Sequence, residues 1–512
     1  MQARVSKVYS ADFEGITPRL IEVEVDINIG LASFNIVGLA DKAVSEAKER
    51  VSSAIKNSGI KPPNRENRKI TVNLAPADIK KQGSNFDIAI ALGYLLSSNQ
   101  IKSFETKNKL FLGELALDGG VRAVAGVLNI CHKANSLGFK EVYIPADNIF
   151  EVVHLSGINI IPIKTLTDLI NHLESKILIQ PVLLKEFKPQ SLLGSVDISE
   201  IKGQDTAKRA LAIAAAGSHN IFMSGSPGTG KTMLAQSLVS ILPDITFDEA
   251  IDVTKIYSAA GLLAGKPFVS YRPFRSPHHS ASLVSLVGGG QNPKPGEVSL
   301  AHRGVLFLDE LPEFHRDVLE SLRQPIEQGW VTITRAKGSV NFPSKFMLVA
   351  AANPCPCGYF QDEEKECRCS PYEVIKYQKR LSGPLLDRID INIWVGRLTS
   401  GDIRKSSDKT ESQLIKNKVA LARKIQYERF KKLGVPIFSN SEMSSKQVGE
   451  IVNITSSARS MLGKALDKAH ISARGYFKII KVAQTIADME EKNIIDDAAI
   501  QEAFSYRVRN EN

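Results

Sequence analysis

Gly225, Ser226, Pro227, Gly228, Thr229, Gly230, Lys231 and Thr232 follow one another in the pattern G-x4-G-K-[ST]. The apolar run 220–223 before them reads as a strand, and residues 233–242 after them read as a helix, which is the context this pattern requires. Glycines at this spacing let main-chain N–H groups turn inward around phosphate oxygens, and the start of the following helix adds a favourable dipole. Lys231 is expected to reach the β- and γ-phosphates of a nucleoside triphosphate such as ATP, and the Thr232 hydroxyl to hold Mg2+. Further on, the apolar strand 305–308 ends in Asp309 and Glu310. A buried strand would deliver Asp309 to a sheet edge to complete the Mg2+ shell, with Glu310 beside it to polarise an attacking water. The bland alternatives are a Gly-rich turn with a chance lysine and a strand cap with two solvated acids.

These residues need a parallel sheet to position them. From Asp197 the pattern runs helix, strand, Gly-rich loop, helix, the opening of a parallel α/β domain that extends to about residue 397. From about 398 the text turns helical over 414–432, 456–469, 475–490 and 496–506. Residues 1–175 read as a mixed α/β domain. The stretch 21–29 alternates with period two, 70–74, 109–112, 142–144 and 158–163 are short β-rich runs, and 43–58, 86–96 and 127–136 carry helical spacing. Residues 176–196, with Pro181 and Pro189, read as a linker.

At 512 residues, 43% hydrophobic and 23% charged, the chain has the composition of a globular protein of about three domains, which excludes fibre and disorder. The start of the chain carries no apolar signal core and no long apolar run follows, so a cytoplasmic protein with no membrane partner is expected. The net charge of +10 favours a polyanionic partner such as nucleic acid, although a solvated basic surface explains it too.

Taken in order, GSPGTGKT, FRSPHHSAS, VLFLDELPEF, AANPCPCGYF and LSGPLLDRIDI resemble the magnesium-chelatase-like AAA+ ATPases of the YifB/ComM group. The resemblance covers nearly the whole chain. It implies an AAA+ domain at 197–397, a C-terminal helical lid at 398–512, and a homo-hexameric ring that drives branch migration on single-stranded or branched DNA. It also implies that Asn353 occupies the sensor-1 position, Arg388 the arginine-finger position and Arg474 the sensor-2 position. From side-chain chemistry alone, each arginine reads as a surface ion-pair residue. Gly203 and Gln204 are candidates to approach the adenine.

Residues 330–342 alternate around a basic Gly turn, a hairpin signal. In the resembling rings such hairpins enter the central pore, where Arg335 and Lys337 would grip phosphates with little sequence preference. Arg275, His278 and His279 form the second candidate nucleic-acid element. A solvated hairpin and a polar loop are the alternatives.

Cys355, Cys357, Cys367 and Cys369 form C-x-C-x9-C-x-C, which could wrap one structural Zn2+ or remain free thiols. Cys131 falls in a helical apolar pattern and reads as core. Residues 75–96 and 113–126 resemble the Lon proteolytic domain, of ribosomal-S5-like fold. The nucleophile position falls on Asn85, with Ser84 adjacent, and the lysine position on Leu128. A serine without a neighbouring amine is a weak nucleophile, so a non-proteolytic domain over 1–175 is expected. The favoured reading is an ATP-driven DNA translocase. The alternatives are a chelatase-like chaperone that remodels a protein and, less favoured, an ATP-dependent protease.

Overall fold

The computed structural model describes residues 5–507 except 40, 64–66, 78–80, 82, 191–195, 264–265, 291–292, 336–337, 363, 382, 400, 402–408, 436 and 470. The chain forms two compact units, Met1–Lys188 with Phe247–Ser270, and Pro189–Thr246 with Tyr271–Asn512. Among the described residues no helix is long and apolar enough to cross a membrane.

The first unit is built on a seven-stranded mixed sheet, ordered Ser33–Val37, Arg68–Ala75, Thr17–Ile29, Ser6–Glu14, Lys109–Phe111, Glu141–Pro145, Asn159–Ile163. Thr17–Ile29 pairs antiparallel on both sides, and its Ile21, Val23 and Val25 are buried while Glu22 and Glu24 are partly exposed. That alternation gives one dry face, against which the apolar helix Asp87–Ser97 packs. Phe247–Ser270, which a boundary at Asp197 assigns to the second domain, belongs to this unit. Its helix Phe247–Ala259 is fixed by Ser258, whose hydroxyl donates to the buried Glu151 and whose carbonyl accepts from Gly126 N at 3.0 Å. The first part of the expected linker is also tied down, Val182 N donating to Ile160 O at 2.8 Å and Lys185 N to Val153 O at 2.9 Å.

The second unit centres on a five-stranded sheet in the order Phe274–Arg275, Val305–Leu308, Met347–Ala352, Ile221–Ser224, Ile391–Trp394, every neighbouring pair parallel. Val305–Leu308 and Met347–Ala352 are buried at every position, as expected for strands covered on both faces. Helix Asp205–Gly217 is alanine-rich, which lets it lie close to its neighbours, and it shares one apolar core with the C-terminal helices Lys409–Lys432, Ala473–Met489 and Asp497–Ser505. The first of these starts earlier than its apolar periodicity suggests. Polar contacts hold the added turn: Lys208 Nζ lies 2.9 Å from Glu411 Oε2, and Ser412 Oγ 3.2 Å from Asp197 Oδ2.

A buried polar network ties helix Ala473–Met489 to the sheet. Asp390 receives Lys478 Nζ at 2.7 Å and Asn220 N at 3.1 Å, with the His219 ring 3.6 Å away, and Lys478 Nζ also donates to Ile389 O at 3.1 Å. Burial alone would raise the Asp390 carboxyl, but the Lys478 ammonium and the His219 ring hold it well below the usual carboxylate range. A depressed carboxylate contributes stability above its unfolded value and loses it as pH falls toward the folded one, so this contribution is complete above about pH 5 and decays on acidification below about pH 4. Lys478→Met strands a buried carboxylate and is expected to cost about 3–5 kcal/mol by urea denaturation at pH 7. Asp390→Asn combined with Lys478→Met should recover part of that loss. A double variant as unstable as the single one would show that the ion pair is not the source.

Candidate nucleotide site and cysteine cluster

All five strands of the second sheet run parallel, so their C-terminal ends share one edge. Ser224, Leu308 and Ala352 end three of them, and the next residues are Gly225, Asp309 and Asn353. Gly230 caps the helix Lys231–Ile241 with φ 88°, a conformation that admits glycine readily. That turn folds Lys231 back into the loop. Its ammonium donates to Gly225 O at 2.7 Å, Ser226 O at 2.9 Å and Asn353 Oδ1 at 3.2 Å. Burial lowers the Lys231 pKa, and the nearby Asp309 carboxylate opposes that shift. Thr232 Oγ1 donates to Asp309 Oδ2 at 2.7 Å, so the hydroxyl and carboxylate expected to share a divalent ion are adjacent. Glu310 follows in the left-handed region with φ 50°, unusual for a residue with a side chain and typical of strain held at functional sites. The ammonium ringed by oxygens, the hydroxyl–carboxylate pair and the amide gather at one sheet edge, a donor set whose chemistry suits a phosphate chain with its metal ion.

The remaining candidates lie in ion pairs, hydrogen bonds and a hairpin of the same unit. His279 Nδ1 lies 3.2 Å from Glu310 Oε2, which brings this member of the expected nucleic-acid loop to the acid beside the phosphate loop. His278 Nδ1 is 2.8 Å from Ser280 Oγ, and Arg275 makes a two-point pair with Glu297 at 2.5 and 2.7 Å. Arg388 and Arg474, far apart in sequence, converge on Glu327. Arg388 Nη2 is 2.6 Å from Glu327 Oε1, Arg474 Nη2 binds the same oxygen, and Arg388 Nη1 donates to Pro384 O. Burial would raise the Glu327 carboxyl, but the two guanidinium groups hold it below its ordinary value. Gln204 donates to Gly396 O at 2.7 Å. Strands Trp330–Arg335 and Gly338–Pro343 form the expected hairpin, with Arg335 opposite Gly338. Lys337 lies outside the described residues, as does the Arg335 side chain.

The four cysteines gather despite their C-x9-C separation. Their sulfurs all lie within 4.8 Å of one another, with Cys355 to Cys357 at 3.4 Å, Cys355 to Cys367 at 3.7 Å and Cys357 to Cys367 at 3.6 Å. A tetrahedron with Zn–S bonds of about 2.3 Å has sulfurs roughly 3.8 Å apart, so this spacing fits one zinc-sized ion. Backbone N–H groups of Tyr359 and Arg368 draw the Cys357 thiol down to about 6, whereas burial pushes Cys355 up to about 12. Cys131 is fully buried in the first unit. There, the Ser84 hydroxyl donates to Glu114, Asn85 is buried, and Leu128 is part of the core. Sequence reasoning missed Glu327, which sits 61 residues from Arg388, and the His279–Glu310 contact. No local spacing announces either.

A parallel sheet with a G-x4-G-K-T loop after one strand and an acid-ended strand in the same sheet defines a P-loop nucleotide-binding protein. Family models agree on where the parts lie. The model described as magnesium chelatase, subunit ChlI matches residues 197–403, the one for subunit ChlI of Mg-chelatase matches 23–148, and its C-terminal counterpart matches 409–507. The competence protein ComM of Haemophilus influenzae is 42% identical over 98% of this chain and 97% of its own. The uncharacterized protein YifB of Escherichia coli is 39% identical over 98% of this chain and 97% of its own. The chloroplastic magnesium-chelatase subunit ChlI of Nicotiana tabacum is 24% identical over 38% of this chain and 46% of its own. The chain belongs to the YifB/ComM family of magnesium-chelatase-like proteins.

That family points to ATP and Mg2+, and the loop fits both: Lys231 is held among oxygens a phosphate can replace, and Thr232 and Asp309 converge on one point. Lys231→Ala is expected to lower phosphate release by roughly 100-fold or more. Turnover at the unmodified level would reject the loop as the phosphate site. Glu310→Gln should keep nucleotide affinity and slow hydrolysis by roughly 100- to 10,000-fold, separable by comparing equilibrium binding with single-turnover rates.

Proposed function

We propose that this protein is an ATP-driven DNA translocase, working as a homo-hexameric ring in the cytoplasm and promoting branch migration when single-stranded DNA is integrated. The observation that carries the reading is the linked set Lys231–Asn353 and Thr232–Asp309, a nucleotide site with its metal-holding pair already adjacent. The similarity to a protein named for competence directs the work of that site toward DNA. In this reading Lys231 and the amides of Gly225–Thr232 bind the phosphates, and Thr232 and Asp309 hold Mg2+. Glu310 polarises the lytic water and the Asn353 amide orients it. Arg388 and Arg474 supply positive charge to the transition state, and an arginine suits that task because it keeps its charge when desolvated. The hairpin Trp330–Pro343 and the Arg275–His279 segment face the DNA, and the surplus of basic residues favours such a partner.

The proposed domains are a Lon-like, non-proteolytic region over 1–175, a linker over 176–196, an AAA+ region over 197–397 and a helical lid over 398–512, with 247–270 and the first part of the linker folded into the first compact unit. The protease reading lacks the amine of its dyad, because the expected lysine position is Leu128 and the Ser84 hydroxyl donates instead to Glu114. The four thiolates hold one structural Zn2+, four protein ligands leaving no open position for chemistry.

Purified protein with ATP should displace a strand from a branched DNA junction, and DNA should stimulate its phosphate release. Stimulation by an unfolded polypeptide but not by DNA would replace this reading with the chaperone one. Arg388→Ala should bind ATP with little change yet lose most of the DNA-stimulated turnover; normal turnover would remove Arg388 from the mechanism.

A further inference from the structure

The cysteine cluster and the phosphate loop are mechanically continuous. Cys355 follows two residues after Asn353, whose Oδ1 receives the Lys231 ammonium at 3.2 Å. The chain then turns at Gly358, with φ 86°, directly against Pro227 of the phosphate loop. A Cβ at Gly358 would lie 2.5 Å from Pro227 Cγ and 2.6 Å from Cδ, so only glycine lets the two loops touch this closely. Four residues on, Asp362 accepts a hydrogen bond from Arg397 Nε at 2.9 Å, and the neighbouring Ser226 side chain helps hold its carboxyl well below the usual carboxylate range. Arg397 also pairs with Glu364 at 3.1 Å, and its guanidinium lies 5.7 Å from the centre of the Tyr359 ring. Ser226 in turn gives its carbonyl to Lys231 and to the Thr229 hydroxyl. The loop between the two cysteine pairs thus reaches the phosphate loop at Pro227 and at Ser226, while its first cysteine sits next to the asparagine that meets Lys231.

That loop has little apolar content of its own. Between Gly358 and Glu366 the described side chains are mainly charged or polar, and its shape depends on the cysteines at its ends and the salt links to Arg397. We infer that metal held by Cys355, Cys357, Cys367 and Cys369 sets the affinity of the nucleotide site, by fixing Gly358 against Pro227 and Asp362 against Ser226. The inference rests on the zinc reading given above and adds to it a second role: the metal is a structural cofactor of ATP binding as well as a staple for its own loop. Without an ion among the four sulfurs no bond joins the two cysteine pairs, the loop loses its closure, and the two supports of the phosphate loop are released together.

The test uses the full chain, prepared reduced with zinc supplied, and reads bound metal by elemental analysis and affinity for a fluorescent ATP analogue in the presence of Mg2+. About one zinc per chain is expected. Stripping it with a chelator, then returning the protein to zinc-free buffer with Mg2+, should weaken the analogue about tenfold or more, and added zinc should restore it. Asp362→Ala keeps all four thiols; it should retain its zinc and still bind the analogue more weakly, which decides the matter even where stripping unfolds the loop. Unchanged affinity in stripped, folded protein, or in zinc-loaded Asp362→Ala, overturns the coupling and leaves the metal site standing. Absence of bound metal under reducing, zinc-replete conditions overturns both.

Discussion

A lysine ammonium folded into a ring of oxygens is the constraint on which the second unit is organised. Lys231 is largely buried, and an ammonium removed from water is costly unless its protons find acceptors. Gly225 O, Ser226 O and Asn353 Oδ1 supply them, from the loops that follow two different strands. The strand ends must therefore be adjacent and level, which a parallel sheet with all-buried central strands achieves. A ligand phosphate that displaces these acceptors meets a cation already desolvated and aimed, so little reorganisation accompanies binding.

The same sheet explains why two arginines distant in sequence meet. Arg388 precedes the edge strand Ile391–Trp394, and Arg474 opens the helix Ala473–Met489. Asp390 and Lys478 lock that helix to the strand's entry, and Glu327 takes both guanidinium groups. Two cations on one carboxylate leave the cluster with net positive charge, and the pairing orders both side chains. Glu327 costs little to hold there, because it is only partly buried and two opposite charges offset its desolvation.

What could be read from the sequence was whatever local covalent spacing encodes. The phosphate loop, the acid-ended strand, the four cysteines, the alternation of Thr17–Ile29 and the basic hairpin are all contiguous patterns. The strand Ser6–Glu14 carries no clear sequence signal because its buried side includes Ser10 and Asp12, which are satisfied by contacts no pattern displays: Ser10 Oγ donates to Phe111 O at 2.8 Å, and Asp12 Oδ1 accepts from Phe13 N at 2.8 Å. Phe247–Ala259 was hidden for a similar reason. Its attachment to the first unit runs through Ser258 and Glu151, 107 residues apart. The sequence offers His279 as a nucleic-acid contact or a polar loop residue and hides its contact with Glu310, because that residue is reached only when Phe274–Arg275 pairs beside Val305–Leu308.

The placement of Asn353 between the phosphate loop and the cysteine cluster follows from the length of one strand. Met347–Ala352 runs the full depth of the sheet, so the first residue beyond it emerges level with Lys231, and the next turn has nowhere to go but over Pro227. A loop in that position is exposed, polar and close to phosphate-binding backbone, so ordinary apolar packing cannot shape it. Four sulfurs around one ion can, since each metal–thiolate bond fixes a chain position with a strength that a surface salt bridge lacks. Asp362 and Glu364 then have defined places to act from. Arg397 binds Asp362 and Glu364 across the loop, and Asp362 is left facing Ser226, on the same segment of backbone that holds the buried lysine.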